Sequence, residues 1–467
     1  MIRHLSKINN VIKNKTHSKA VVESLMNKIR DCEPPLYAKL SPKFKRSFAY
    51  PSMKDRVPVI LTQIVDYLSR DKATIISCYG EEVQDEIKAA IGEISLLKNH
   101  ILTSKDFQYF TSQDSDTELW NEHLKERERL YHSFNYFESD WLFSECYVYR
   151  RVREIFATKE MLRTLDPFSA KKTELLRNSL TAMSSLFSYL IENNILDSDT
   201  TIPIAQLQKE FVLIMKSALW ANQFDLSLNT NSQDVEENML SKIKEWDDKL
   251  LVDDSIKLFS SLCSTDNTEK IVDYVVDNAG LELICDLCFA DLLITRFHVK
   301  KINIRVKPIP WFVSDTIPRD VQQTVSSVLC NTNEWFRVIG KRWQKYLDTG
   351  IWNVVADQYW CLGRTYSEMP TVDPQLYEEL QEAAFIVMKG DLNYRKLLQD
   401  INWETTTPFS KALGDFHPAP LIALRTCKAD LICGLKPGQA EKVAKESPNW
   451  LINGEYAVIQ YDSPRSE

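Results

Sequence analysis

Glycine is scarce in this chain, with 11 in 467 residues, and no two form a Gly-x-Gly pair. That excludes the usual Gly-rich dinucleotide loop and the phosphate loop of nucleotide triphosphatases, which need glycines at short intervals so that backbone can approach phosphate. Histidine is scarcer still: the seven present show no two-on-a-helix spacing, so a histidine-rich zinc enzyme is not expected. The 10 cysteines are scattered, and Cys285 and Cys288, the one close pair, have no second pair to complete a zinc site. Reduced, mostly buried thiols are expected. No apolar run approaches the roughly 20 residues of a membrane span. A net charge of −8 argues against a general nucleic-acid binder, although residues 1–56 are locally basic. Those residues are Lys-rich where an organellar transit peptide would be Arg-rich, and Glu23 is their first acid. A soluble intracellular protein is expected, cytoplasmic with the nucleus also open.

What is present falls into two rhythms. From about residue 18 to 227 the pattern is helical, with segments at 57–68, 82–101, 172–192 and 204–220, and a stretch over 118–156 in which Trp, Tyr and Phe alternate with charge. The acids in that stretch favour core packing over base stacking. The helix from Ile204 runs into Asn222 and Asp225, which end it or point into a site; their spacing favours capping. A polar stretch over 229–237 marks the expected domain boundary. Beyond it, strand-like runs at 271–276, 302–306, 384–388, 421–424 and 456–459 alternate with helices. This predicts an α/β fold, a three-layer α/β/α arrangement with a mostly parallel sheet, over 229–467, following a helical N-terminal region over 1–228. Residues 318–377 read as a helical insertion.

Polar residues follow the predicted strands. Asp277-Asn278-Ala279-Gly280 follows the first, and Ser314-Asp315-Thr316 follows the second after a short link. The third leads into Lys389-Gly390-Asp391-Leu392-Asn393-Tyr394-Arg395 and the fourth into Arg425-Thr426-Cys427-Lys428. In a parallel sheet these ends share one edge, where ligands bind. Asp277, Asn278 and Asp315 offer a few hard oxygens suited to magnesium or manganese, while Arg425, Lys428 and Lys389 suit phosphate oxygens. Asp391, Asn393 and Arg395 suit substrate hydroxyls or a neighbouring phosphate. Any one of these residues is ordinarily a cap or a salt bridge; their recurrence at four strand ends favours a metal-held phosphate ester.

With the stretch 219–228, Glu282, the stretch 311–316, Lys54-Asp55-Arg56, Glu145-Cys146-Tyr147 and Gly414-Asp415-Phe416-His417-Pro418-Ala419-Pro420, these motifs resemble the metal-dependent damage-control phosphatase family. The Arg-Thr-x-Lys element narrows the resemblance to its sugar-phosphate subfamily III, also called acidic residue methyltransferase 1-like. The resemblance implies hydrolysis of sugar phosphates such as fructose 1-phosphate and fructose 6-phosphate, with Mn2+ or Ni2+, or else Co2+ or Mg2+, as cofactor. It places catalytic and metal roles on Asp277, Asn278 and Asp315, and substrate contacts on Asp277, Asn278, the run from Asp391 to Arg395, and Lys428. Asn222 and Asp225 belong to the family's motifs, although Ala221 and Gln223-Phe224 depart from the pattern around them. The rival enzyme reading is an S-adenosylmethionine-dependent protein-glutamate O-methyltransferase. The non-enzyme reading is a protein-binding scaffold using the aromatic-rich half. A small-molecule sugar phosphate is the expected partner, with neither nucleic acid nor membrane.

Overall fold

The computed structural model describes residues 29–130, 134–198, 200–230 and 239–463. The chain divides into two compact units, one comprising Lys39–Thr164 with the segment up to Pro35, the other comprising Leu165–Glu467 with Leu36–Ala38.

The first unit is helical. Helix Val57–Arg70 buries Val57, Leu61, Ile64 and Leu68, and helix Val83–Leu102 buries Val83, Ile87, Ala90, Ile94, Leu97 and Ile101. Both sets recur every three or four residues, the stripe that a helix lays against a core. The aromatic-rich stretch packs inward: Phe107 lies edge-on to Phe143 at 5.2 Å, and Trp120 is fully buried.

Among the described residues the second unit carries seven strands: β1 Leu250–Asp253, β2 Ile271–Val275, β3 Lys301–Val306, β4 Trp352–Ala356, β5 Phe385–Lys389, β6 Leu421–Thr426 and β7 Ala457–Asp462. Their order is β1-β7-β6-β5-β2-β3-β4, parallel at every junction except β6 with β7. From β2 the chain moves outward to β3 and β4, then returns to the other side of β2 as β5. The β2/β5 junction is therefore a topological switch point, and the crevice beyond its C-terminal edge is where such sheets place ligands.

Three expectations about organisation change. The sheet unit begins at Leu165, not at 229, because helix Ile204–Thr230 packs on helix Leu281–Phe297, with Phe211 against Phe289 at 5.3 Å and Phe297 at 5.4 Å. That helix continues beyond Asn222, which therefore does not cap it; most of the polar stretch expected as a boundary, 231–238, lies outside the described residues. Residues 318–377 are not a purely helical insertion: helices Pro318–Leu329 and Glu334–Asp348 form the crossover from β3 to β4. Strands β1 and β4 leave no clear apolar run in the sequence because each is a short, half-exposed edge.

Candidate active site

The site starts at the end of β2. Gly280, at φ +82°, turns the chain into helix Leu281–Phe297, a conformation that costs glycine little. Asp277 and Asn278 are left between that helix and the segment following β3. There the Asp315 N–H donates to Trp311 O at 3.2 Å, the Ala279 N–H to Ser314 O at 2.7 Å and the Thr316 N–H to Asp277 O at 2.8 Å, so backbone bonds lock the two segments together. Phe312 and Val313 hold φ of 41° and 74° within this loop, a strained conformation for bulky and β-branched side chains. Lys172 anchors its far side, donating at 2.8 Å to Asp320 Oδ2, which also accepts the Ile317 N–H at 2.9 Å.

The structure thus brings Asp277, Asn278 and Asp315 together. Asp277 is 8% exposed and Asp315 2%. Burial drives the Asp277 carboxyl well above the ordinary carboxylate range, and the charges of Asp315 and Glu282 push it the same way, against Lys307 and Lys389. Burial also raises Asp315, opposed by Lys307. Asn278 Nδ2 donates to Asp277 Oδ2 at 2.8 Å and to Glu282 Oε2 at 2.9 Å, and Asn278 Oδ1 accepts from Ser314 Oγ at 2.6 Å.

Gly390, after β5, closes the opposite wall. A Cβ there would stand 2.0 Å from Asp277 Oδ2. Only glycine lets the β5 end pass this carboxylate.

Several cations assigned to phosphate are already engaged. Lys389, 1% exposed, donates to Glu282 Oε1 at 2.9 Å and to Ala218 O at 2.7 Å, and pairs with Asp286 Oδ1 at 2.9 Å. All three of its protons are directed at protein groups, so Lys389 sets the Glu282 carboxylate in place. Lys389 and the Asn278 hydrogen bond hold Glu282 below its ordinary value against the cost of burial. Burial and the charge of Glu282 push Asp286 up to about 7, opposed by Lys389. Arg425 donates to Asp391 Oδ1 at 2.7 Å, Leu431 O at 2.8 Å and Ala429 O at 2.9 Å, which shapes the turn after β6. Arg395 grips Asp400 through Nε at 2.8 Å and Nη2 at 3.1 Å. Asn393 bonds Lys389 O and the Tyr366 hydroxyl, Tyr394 bonds Gln460 Oε1, and Leu392 is buried.

Lys428 lies near enough to Glu282 for its charge to act on that carboxylate. It is half-buried, its N–H donates to Asp391 Oδ1 at 3.1 Å, and its ammonium donates to Asn222 Oδ1. Asn222 Nδ2 donates to Glu282 Oε2 at 3.2 Å, so Asn222 links the Lys428 side with the Asn278 side. Asp225 lies in the same helix, its side chain outside the described residues.

Lys307, directly after β3, is not among the residues expected from the sequence. It is 1% exposed and forms an ion pair with Asp315 Oδ2 at 3.3 Å that lacks hydrogen-bond geometry. Its position at a strand end was the available signal. Glu282 was noticed as part of a motif but not as the acceptor that fixes Asn222 and Asn278.

Among the described residues, no three or more His, Cys, Asp or Glu side chains gather in a metal-holding group. The set here has two carboxylates and one amide, a composition suited to a hard divalent cation that keeps water and substrate in its remaining positions. The buried Asp315 Oδ2 accepts no hydrogen bond among the described residues. An oxygen so placed, beside a carboxylate whose charge is disfavoured by burial, fits a cation ligand.

A family model described as "Damage-control phosphatase ARMT1-like domain" matches residues 52–443. Proteins named "Damage-control phosphatase ARMT1" are similar across most of their length: 37% identity with that of Danio rerio, covering 92% of this chain and 97% of the relative, and 37% with that of Homo sapiens, covering 91% and 99%. A solved DUF89 family protein from Pyrococcus horikoshii aligns with a TM-score of 0.43 and 14% identity, covering 89% of this chain and 98% of that one. By the family model and the extent of these relatives, the chain belongs to the damage-control phosphatase ARMT1-like family.

Proposed function

We propose that this protein is a divalent-metal-dependent phosphatase that hydrolyses sugar phosphates, with fructose 1-phosphate and fructose 6-phosphate as first candidates, in the cytoplasm. One observation carries the proposal: two buried carboxylates, Asp277 and Asp315, lie close enough at the sheet edge for the charge of one to act on the other, Asp315 Oδ2 accepts no hydrogen bond among the described residues, and Lys428 is linked to this pair through Asn222, Glu282 and Asn278. The names of the relatives support the phosphatase class.

Asp277, Asn278 and Asp315 would hold the cation. When bound, a divalent ion neutralises phosphoryl charge and makes water a better nucleophile. The chain's own residues do the rest. Glu282, fixed by Lys389, orients the Asn278 amide. Lys428 binds phosphoryl oxygens with a charge-assisted hydrogen bond, exchanging Asn222 for substrate. Arg425 shapes the turn that presents Lys428 and acts through it. Along the run from Asp391 to Arg395, substrate contact falls to Asp391, whose Oδ1 also holds Arg425 and the Lys428 N–H. Water displaces the sugar hydroxyl from phosphorus, giving free sugar and inorganic phosphate.

The test is phosphate release by chelator-treated protein from a panel of sugar phosphates, with Mn2+, Ni2+, Co2+ or Mg2+ restored singly. The expected result is turnover only with added cation. Absence of cation-dependent release from every sugar phosphate overturns the proposal.

A further inference from the structure

Just beyond the ends of β2 and β3 lie two directly paired sets of ionisable groups, although the charges of Glu282 and Lys389 also reach Asp277. Lys389 serves Glu282 and Asp286, contacting both at 2.9 Å. The other set is Asp277, Asp315 and Lys307. The Lys307 ammonium is buried, makes no hydrogen bond among the described residues, and pairs with Asp315 Oδ2, which also makes none. The charge of Asp277 acts on it too, as does the Cys361 thiol nearby. A lysine needed only to brace the loop would ordinarily spend its three protons on carbonyls and carboxylates, as Lys389 does. Lys307 supplies charge with little directional bonding.

We propose that Lys307 is a resident counter-cation that weakens divalent-ion binding at Asp277, Asn278 and Asp315. Lys307 offsets part of the negative charge that Asp277 and Asp315 present to a cation. The cluster then stays folded without a metal and holds the ion loosely. This rests on the metal-dependent reading above. A neutral side chain at 307 removes a positive charge from beside the ion's ligands, and at this separation and low polarity that strengthens cation binding by at least about tenfold. A bracing role predicts the opposite sign, because Asp315 would lose its support and bind the ion less well.

The experiment is titration calorimetry of Mn2+ into the full-length protein and its Lys307→Met and Lys307→Gln variants, with thermal melts in chelator and in Mn2+. Expected is a Kd at least about tenfold lower in the variants, together with a lower Tm in chelator and a larger rise on adding Mn2+. An equal or higher Kd in the variants, with wild type binding Mn2+, overturns the counter-cation and leaves the metal site standing. Absence of Mn2+ binding by wild type removes the metal site itself, and this inference with it. If neither variant folds even with Mn2+, Lys307 is a structural ion and the inference is overturned.

Discussion

At Gly390 the backbone turns with φ +87°, and the carboxylate of Asp277 occupies the space a side chain would need. Gly390→Ala combines a clash at 2.0 Å with a left-handed φ, so we predict a loss of roughly 2–4 kcal/mol in denaturant melts and loss of turnover. Unchanged stability and rate would show that Asp277 does not sit where the structure puts it. Asp277→Asn removes the charge of a proposed metal ligand while preserving its shape; it should melt within about 1 kcal/mol of wild type yet lose cation-dependent phosphate release by at least about a thousandfold. Retention of that release would place the metal elsewhere. Lys428→Ala deletes one charge-assisted contact and should lower kcat/KM by roughly 30- to 100-fold, about 2–3 kcal/mol; steady-state kinetics with a sugar phosphate check this. Asp277, Asn278 and Asp315 were legible as oxygen-rich residues after apolar runs. The engagement of Lys389, Arg395 and Arg425 was not, because a strand-end position says nothing about which buried acceptors lie within reach. Glu282 on the next helix and Ala218 on another claim Lys389.

Elements differ in how plainly they announce themselves. The long helices of the first unit were readable from period, since each buries a stripe of Val, Ile and Leu. Five strands were readable from β-branched runs, whereas the edges β1 and β4 are short and half-exposed. Helix Trp141–Ala157 carries a further consequence. Asp140, immediately before it, pairs with Arg127 at 2.9 Å, and Glu154 within it accepts the Thr111 N–H at 2.6 Å and the Ser112 N–H at 3.0 Å. Burial alone would raise both carboxyls, but Arg127, Lys39 and Lys43 lower Asp140, and hydrogen bonds from Ser112 and Thr111 with the charge of Arg150 lower Glu154. Both lie below their ordinary values of 3.8 and 4.5. Their stabilising contribution is therefore complete above those values and is lost as pH falls through the depressed ones. We predict that Tm declines below about pH 4 and that the double variant Asp140→Asn, Glu154→Gln declines less steeply. The same acid slope in both proteins would remove these two carboxyls from the account.

On the scale of the whole chain, family membership extends over residues 52–443 and so takes in most of both units. No helix among the described residues is long and apolar enough to cross a membrane. The structure moved the division between the units from 228/229 to Thr164/Leu165. Periodicity marks a helix and its buried face but not the surface that face will meet, and helix Ile204–Thr230 meets helix Leu281–Phe297. If a cation binds the folded chain alone, its removal should destabilise the sheet unit. Chelator treatment should lower the apparent Tm, and Mn2+ at about a hundredfold its Kd should restore roughly 2.7 kcal/mol. A melt indifferent to both would leave the carboxylate pair without a ligand.

The order of residues alone established the α/β class, five of the seven strands, the family, and the acids that follow β2 and β3. These are local properties: side-chain period, β-branching, and short motifs whose spacing survives without a partner. Which groups meet across the sheet edge depended on the chain path. The return of β5 beside β2 sets Gly390 against Asp277. The loop after β3 faces Asp315 toward Asn278, and Lys307 joins them from the strand end. Burial then changes the chemistry, because a carboxylate withdrawn from water is held by whichever charge lies within a few ångströms, and that neighbour can be any number of residues away.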